Sequence, residues 1–253
     1  MIGIFDSGSG GLTVLKAIRE EMPSSDVVYF GDIKNAPYGN KSREELSQHT
    51  INAISFLKDK GASSIVSACN SVSASLSLSL LDAFSFAPNT LIEMVGPTVS
   101  MFKGTNHTIA LVATPATIRS EIYQNAFRMI GKEVTTIPIP ALASAIENGE
   151  PSETLDAIVA DAVPHISADE YSTLVLACTH YPLALSAFKK NIDPKIAIID
   201  PALAVARRVK KQLWPMEVGD GKTHLYITQD SNTFRALVAD LFPESAGAIE
   251  VIQ

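Results

Sequence analysis

Along this chain, short apolar runs alternate with segments whose apolar residues recur every three to four positions, a pattern that predicts strands feeding helices. The runs lie at 2–5, 27–30, 65–68, 91–95, 108–113, 134–139 and 174–177. They are aliphatic and β-branched with few polar interruptions, which fits parallel strands covered on both faces. Leu12, Leu15 and Ile18 make one helical stripe; Leu46, Ala53, Ile54 and Leu57 make another, opened by a Ser42/Glu45 capping box and closed by Gly61. Further helices are expected at 118–130, ended by Gly131, and at 142–148 and 154–166. Residues 71–80 alternate polar and apolar with period two, which alone reads as a strand. A strand has just ended at Cys69, however, and Val72, Leu76, Leu80 and Ala83 also form a helical stripe, so a helix is preferred.

The pattern then repeats itself. Asp6 precedes Cys69 by 63 positions and Thr114 precedes Cys178 by 64, and each cysteine run leads to a helix, a strand and a proline, Pro97 or Pro201. This implies an α/β protein of two pseudo-symmetric lobes, each a mostly parallel sheet flanked by helices, with the active site in the cleft between them. Open α/β sheets place ligands beyond the carboxyl ends of their strands, so two such lobes turn their loops toward one another. Gly96-Pro97 marks the expected boundary. The expected lobes are 1–96 with 205–253, carrying Asp6 and Cys69, and 97–204, carrying Cys178 and His180. The tail holds a helix ended near Trp214-Pro215, a strand at 225–228 and a helix at 233–241, and is expected to return to the first lobe.

Composition narrows the setting. The 253 residues allow one large or two ordinary domains with real cores. No apolar run is long enough to span a bilayer, and the amino terminus lacks the basic and apolar regions of a signal peptide. A cytoplasmic location with reduced thiols is expected, and no membrane partner. A formal charge of −7 leaves no basic footprint for nucleic acid, and an anionic substrate would need local donors.

Chemistry concentrates where the apolar runs stop. The 174–177 run ends in Cys178-Thr-His180, and the 65–68 run ends in Cys69-Asn-Ser71. A free cysteine is most often a small buried hydrophobe, but the chain has only two, both in Ala-Cys-polar contexts at strand ends. A disulfide suits secreted chains, which this is not expected to be. Two thiols facing one cleft suit removal of a proton from one face of a carbon and its return to the other, that is, racemisation or epimerisation. An ordinary thiol titrates near ~8.5, so each needs an acid–base neighbour. Asp6, in the glycine-rich turn 6–11, and His180 are the candidates; Asp6 as a plain helix N-cap is equally compatible with the pattern. His49, His107, His165 and His224 have no comparable setting. Neither a His-x-x-x-His nor a Cys-x-x-Cys pair exists, so no metal is expected. Glu147, before Asn-Gly, reads by default as a solvated carboxylate at a helix end. The turn-rich segment 31–39 is too long for a tight connection and of the kind that carries function, and 114–117 is read as a loop.

Taken together, Asp-Ser-Gly-x-Gly-Gly at 6–11, Tyr-Phe-Gly-Asp with Pro-Tyr-Gly across 29–39, Ala-Cys-Asn-Ser at 68–71, Ala-Thr-Pro-Ala-Thr at 113–117 and Cys-Thr-His-Tyr-Pro-Leu at 178–183 resemble the glutamate racemases over nearly the whole chain, in order. The resemblance implies cofactor-independent, two-base interconversion of L- and D-glutamate for peptidoglycan synthesis, with Cys69 and Cys178 as proton carriers and Asp6, His180 and Glu147 assisting. It further implies that Asp6, Ser7, Pro37, Tyr38, Gly39, Asn70, Ser71, Thr114, Thr117, Cys178, Thr179 and His180 hold the substrate. Two positions depart from the family pattern: Ser71 stands where threonine is usual, and Thr228-Gln-Asp where Thr-Ser-Gly is usual. The alternatives are an aspartate or other amino-acid racemase of the same superfamily, or a regulatory binding protein such as a gyrase inhibitor. A homodimer is left open.

Overall fold

The computed structural model describes residues 1–73, 90–245 and 248–252. Its ten described strands form two parallel sheets. The strands are β1 Ile2–Asp6, β2 Val27–Gly31, β3 Ser64–Ser67, β4 Leu91–Ile92, β5 Ile109–Ala113, β6 Val134–Pro138, β7 Thr173–Ala177, β8 Ala197–Ile199, β9 Thr223–Ile227 and β10 Ile249–Val251. One sheet runs β10-β9-β2-β1-β3-β4 and the other β6-β5-β7-β8. The four strands β2-β1-β3-β4 of the first therefore repeat the order of the second. β9 and β10, from the tail, extend the first sheet through β2.

The unbroken apolar runs follow from burial on both faces. In β1, Ile2 and Ile4 enter one core cluster while Phe5 enters the cluster on the other face; Val27 and Tyr29 of β2 divide from Val28 and Phe30 in the same way. In the second sheet, Leu174 and Leu176 face one core while Val175 and Ala177 face the other. With both sides covered, a polar residue in these runs would lose its hydration without gaining a partner.

Several predicted boundaries move. The run at 91–95 gives only a two-residue strand, and Met94 leads into a helix Val95–Ser100 that passes through Gly96-Pro97. The proline breaks nothing there because N–H groups of a helix's first turn have no intrahelical acceptor. The expected loop at 114–117 is helical: Thr114 caps a helix Pro115–Arg119 by accepting the N–H of Thr117. The expected single helix 118–130 is two, because Glu121 adopts a left-handed conformation (φ 54°) before Ile122–Met129 begins. The helix expected over 154–166 occupies Ser152–Ala162. Of the helix preferred after Cys69, the turn Asn70–Ser73 is present; Leu76, Leu80 and Ala83 lie outside the described residues. The capping box of Ser42 with Glu45 opens the helix Arg43–Asp59 as the spacing predicts.

Candidate active site

The loops beyond β1, β3, β5 and β7 meet between the sheets. Phe5 pairs with Ser67 in one sheet and Ala113 with Ala177 in the other, so each cysteine emerges just beyond the end of a central ladder. Both thiols are free and buried, and both line one small cleft. The cleft is also lined by Ser7, Pro37, Tyr38, Gly39, Asn70, Ser71, Thr114, Thr179 and His180. Its volume is about 10 Å³, the space of a single water, so the site as it stands is closed. Asp6, Thr117 and Glu147 do not line it but touch residues that do.

Asp6 ends β1 fully buried. Its Oδ2 accepts the N–H groups of Gly8 (3.2 Å) and Gly11 (2.9 Å), and its Oδ1 accepts the Thr179 hydroxyl (3.2 Å) from the other lobe. It is not the N-cap of the following helix Leu12–Glu21, a position held by Gly11. Burial raises its carboxyl above the ordinary range, against the nearby His180 charge and the two backbone donors. The Cys69 sulfur lies 4.0 Å from the Ser7 hydroxyl, and burial, then the negative field of Asp6, pushes this thiol well above the usual value. A Cβ on Gly11 would sit 2.6 Å from the Asp6 side chain, so the glycine lets this carboxylate fold back onto its own loop.

Around Cys178 the assembly is different. His180 Nδ1 lies 3.9 Å from the Cys178 sulfur, and its Nε2 lies 2.6 Å from Glu147 Oε2. The same carboxylate oxygen accepts the backbone N–H (2.9 Å) and hydroxyl (2.8 Å) of Ser9. Glu147 is therefore not the solvated helix-end residue its sequence suggests: it is 9% exposed, at the end of the helix Leu142–Glu147. Its carboxylate lies over Gly8, where a Cβ would meet Oε2 at 2.5 Å. Burial acts to raise the Glu147 carboxyl, but the His180 hydrogen bond and charge outweigh it and hold it below the ordinary range. Burial likewise acts to lower His180, and the hydrogen bonds to Cys178 and Glu147 with the carboxylate's charge raise it well above an ordinary imidazole. Thiol, imidazole and carboxylate thus form one line within the second lobe, and Ser9 of the first lobe donates to its carboxylate end.

Hydroxyls and amides complete the walls. Ser71 Oγ lies 2.9 Å from Thr114 Oγ1, which lies 3.1 Å from Thr117 Oγ1. Asn70 Oδ1 accepts the Tyr123 hydroxyl at 2.6 Å, and its buried Nδ2 has no partner among the described residues, leaving a donor for a carboxylate. The Tyr38 hydroxyl donates to Asp32 Oδ2 at 2.5 Å, and Asp32 also receives Asn35 Nδ2 and the Thr228 hydroxyl. Four participants went unnoticed in the sequence: Ser9, Asp32, Tyr123 and the cleft-lining Ala143. Ser9 and Asp32 lay inside segments already singled out, whereas nothing distinguished Tyr123 or Ala143. His49, given no role above, stacks on Tyr38 and lies 3.5 Å from Asp32. Among the described residues, no cluster of histidine, cysteine and acidic side chains could hold a metal ion.

A family model described as Asp/Glu/Hydantoin racemase matches residues 9–209. The chain is 37% identical to the glutamate racemase of Aquifex aeolicus over 237 residues, 94% of this chain and 92% of that one. The chain belongs to the Asp/Glu/hydantoin racemase family. Solved members of the family agree in fold: a glutamate racemase of Bacillus anthracis superposes with a TM-score of 0.87 at 27% identity, covering 100% of this chain and 97% of that one. A glutamate racemase of Francisella tularensis, solved in complex with D-glutamate, gives the same TM-score at 28% identity and the same coverage. The two-lobe architecture is thus that of the family, and no helix among the described residues is long and apolar enough to cross a membrane.

Proposed function

We propose that the protein is a glutamate racemase that moves the Cα proton between two thiols, Cys69 and Cys178, without a cofactor. The observation that carries the proposal is the pair of buried thiols lining one cleft, each at the matching strand end of its lobe, with His180 3.9 Å from Cys178 and the charge of Asp6 acting on Cys69. The similarity to glutamate racemases over nearly the whole chain supports glutamate as substrate.

Starting from L-glutamate, Cys178, beside His180, acts as the base, and Cys69 begins as thiol. The Cys178 sulfur takes the Cα proton; Cys69 delivers its own proton to the opposite face. Cys69 suits the donor role because burial and the Asp6 field keep it protonated. Asp6, with a carboxyl raised by burial, then serves as acceptor when the reaction runs from D-glutamate. Asn70, Ser71, Thr114, Thr117 and Thr179 supply donors for the two carboxylates, and Pro37, Tyr38 and Gly39 close over them. The two lobes correspond to 1–96 with 205–253 and to 97–204. A cytoplasmic enzyme supplying D-glutamate for peptidoglycan fits this reading.

The test is racemisation of L-glutamate in deuterated water, followed by loss of optical activity, with no pyridoxal phosphate added. Product is expected to carry solvent deuterium at Cα while recovered substrate stays largely unlabelled early in the reaction. Cys69→Ser and Cys178→Ser should each abolish racemisation, since a serine hydroxyl is far too weak an acid to be regenerated as a base. Early label in the substrate pool, or activity surviving loss of one cysteine, would replace the two-thiol mechanism with a single-base one.

A further inference from the structure

Outside the cleft, where the loops of the two lobes touch, lies a groove of about 440 Å³ that has Ser71 in common with it. We infer that this groove is a vestibule that collects the anionic amino acid before it passes into the cleft, an inference that rests on the glutamate racemase reading above. Three of its lining residues are cations: Lys41 and Arg43 from the first lobe and Arg119 from the second. Lys41 directly follows the turn Tyr38–Asn40 that closes over the cleft, and Arg119 ends the helix begun by Thr114 and Pro115. Ser42 and Ser120 add hydroxyls, and no acidic side chain is among the described lining residues. Three exposed acids flank these residues in the chain: Glu45 is bonded to the Ser42 N–H at 2.9 Å, Glu121 lies 3.8 Å from Arg128, and Glu44 follows Arg43.

Two facts give the groove its use. The cleft has room for one water, so an amino acid with two carboxylates reaches it only when the lobes or loops part. The seam beside the groove is Gly39 against Thr114, so close that a Cβ on Gly39 would lie 2.7 Å from Thr114 Cβ. The two sides of this seam belong to different lobes, and each carries its cations immediately beyond the contact. Second, the chain as a whole carries −7, so an anion approaching most of its surface is repelled. Charge-lined clefts raise local ligand concentration and encounter rates by on the order of tenfold or more at low salt, and the effect fades as the screening length shortens.

The experiment compares the full-length protein with Lys41→Gln/Arg43→Gln/Arg119→Gln, measuring kcat and KM for L-glutamate from low to physiological ionic strength. For the unaltered protein, kcat/KM should fall severalfold across that range. At low salt the triple variant should have a kcat/KM lower by on the order of tenfold, carried by KM, with little remaining salt dependence and kcat within about twofold. Arg43→Gln and Arg119→Gln alone should each give part of the effect, which keeps the test decisive if the triple variant folds poorly. Unchanged salt dependence in the variants, or a loss carried by kcat, would overturn the vestibule. Failure of the unaltered protein to racemise glutamate at all would instead overturn the functional reading on which it rests.

Discussion

Glu147→Gln isolates the charge of the buried carboxylate with little change of shape. Glutamine can still place an oxygen where Oε2 sits and accept both donors of Ser9, so the main loss is the ionic part of the bond to His180 Nε2. Both side chains are less than a tenth exposed, so solvent screens the pair little. A hydrogen bond to a charged group contributes about 1.5–3 kcal/mol net and a neutral one about 0.5–1.5, so the ionic part is roughly 1–1.5 kcal/mol, which for a chain of this size shifts the melting temperature by roughly 2–6 °C. The pH dependence carries the sharper information. His180 is raised in the folded protein, so its contribution is complete below its ordinary value of 6.5 and is lost as pH climbs through the raised one. Glu147 is depressed, so its contribution is complete above 4.5 and is lost as pH falls through the depressed value. The gap in melting temperature between the unaltered protein and the variant should therefore be widest between about pH 4.5 and 6.5 and narrow on both flanks. Asp6 is raised in both proteins and nearly cancels from the difference, apart from the small share Glu147 contributes to it. Thermal melts at closely spaced pH values measure this. A gap that stays constant from acid to alkaline pH would mean the bond is uncharged and the imidazolium assignment wrong.

Asp6→Asn and His180→Asn should lower kcat more than they raise KM, because help to a thiol is realised in the transition state; losses confined to KM would make them substrate-positioning groups only. Asp32→Ala removes the acceptor of the Tyr38, Asn35 and Thr228 hydrogen bonds and should loosen the turn over the cleft. We expect KM to rise by about tenfold, the equivalent of roughly 1.4 kcal/mol, with kcat less affected, and the buried Cys69 to be alkylated faster by iodoacetamide. Unchanged alkylation would mean the turn is held in other ways.

The central strands were legible because burial on both faces leaves unbroken apolar runs, and the thiols were legible because those runs stop at them; β10, short and largely exposed, has no such run and was not expected. Glu147 was not, because its burial is decided by residues far away in the chain. Ser9 and Gly8 of the other lobe supply its donors and the gap it lies in, and nothing near position 147 encodes either. The break at Glu121 was hidden for another reason. Left-handed backbone usually announces itself with glycine, and here a glutamate adopts it. The run at 91–95 was legible only in part, since its last residue, Val95, opens a helix whose first turn accommodates Pro97. Asp32 lay in view beside Tyr38, but its meaning depends on Thr228, which reaches it from β9's end of the first sheet.

The repeat in topology carries an approximate symmetry into the site, and the chemistry departs from it. At the end of β1, Asp6 reaches across to Thr179; just beyond β5, Thr114 reaches back to Ser71. Backbone follows the same rule, with Asp32 N–H donating to the Asp6 carbonyl and Ile139 N–H to the Ala113 carbonyl. Yet the Asp6 carboxylate of one lobe stands where the other has Ala113, and Ser71 stands where the second lobe has His180. Enantiomers in water have equal free energies, so this inequality cannot make kcat/KM for D-glutamate differ from that for L-glutamate, in this protein or in any variant. What it can divide is kcat from KM. In the proposed two-thiol mechanism, burial and Asp6 favour the protonated Cys69 that L-glutamate needs, and the D-glutamate direction first moves a proton off Cys69 toward Asp6. Asp6→Asn should therefore lower kcat from the D side more than from the L side, with KM differing so that kcat/KM stays equal for the two enantiomers, and His180→Asn should do the reverse. Equal changes in both directions would mean that the two thiols draw on one common proton store and that the asymmetry of the lobes has no kinetic consequence.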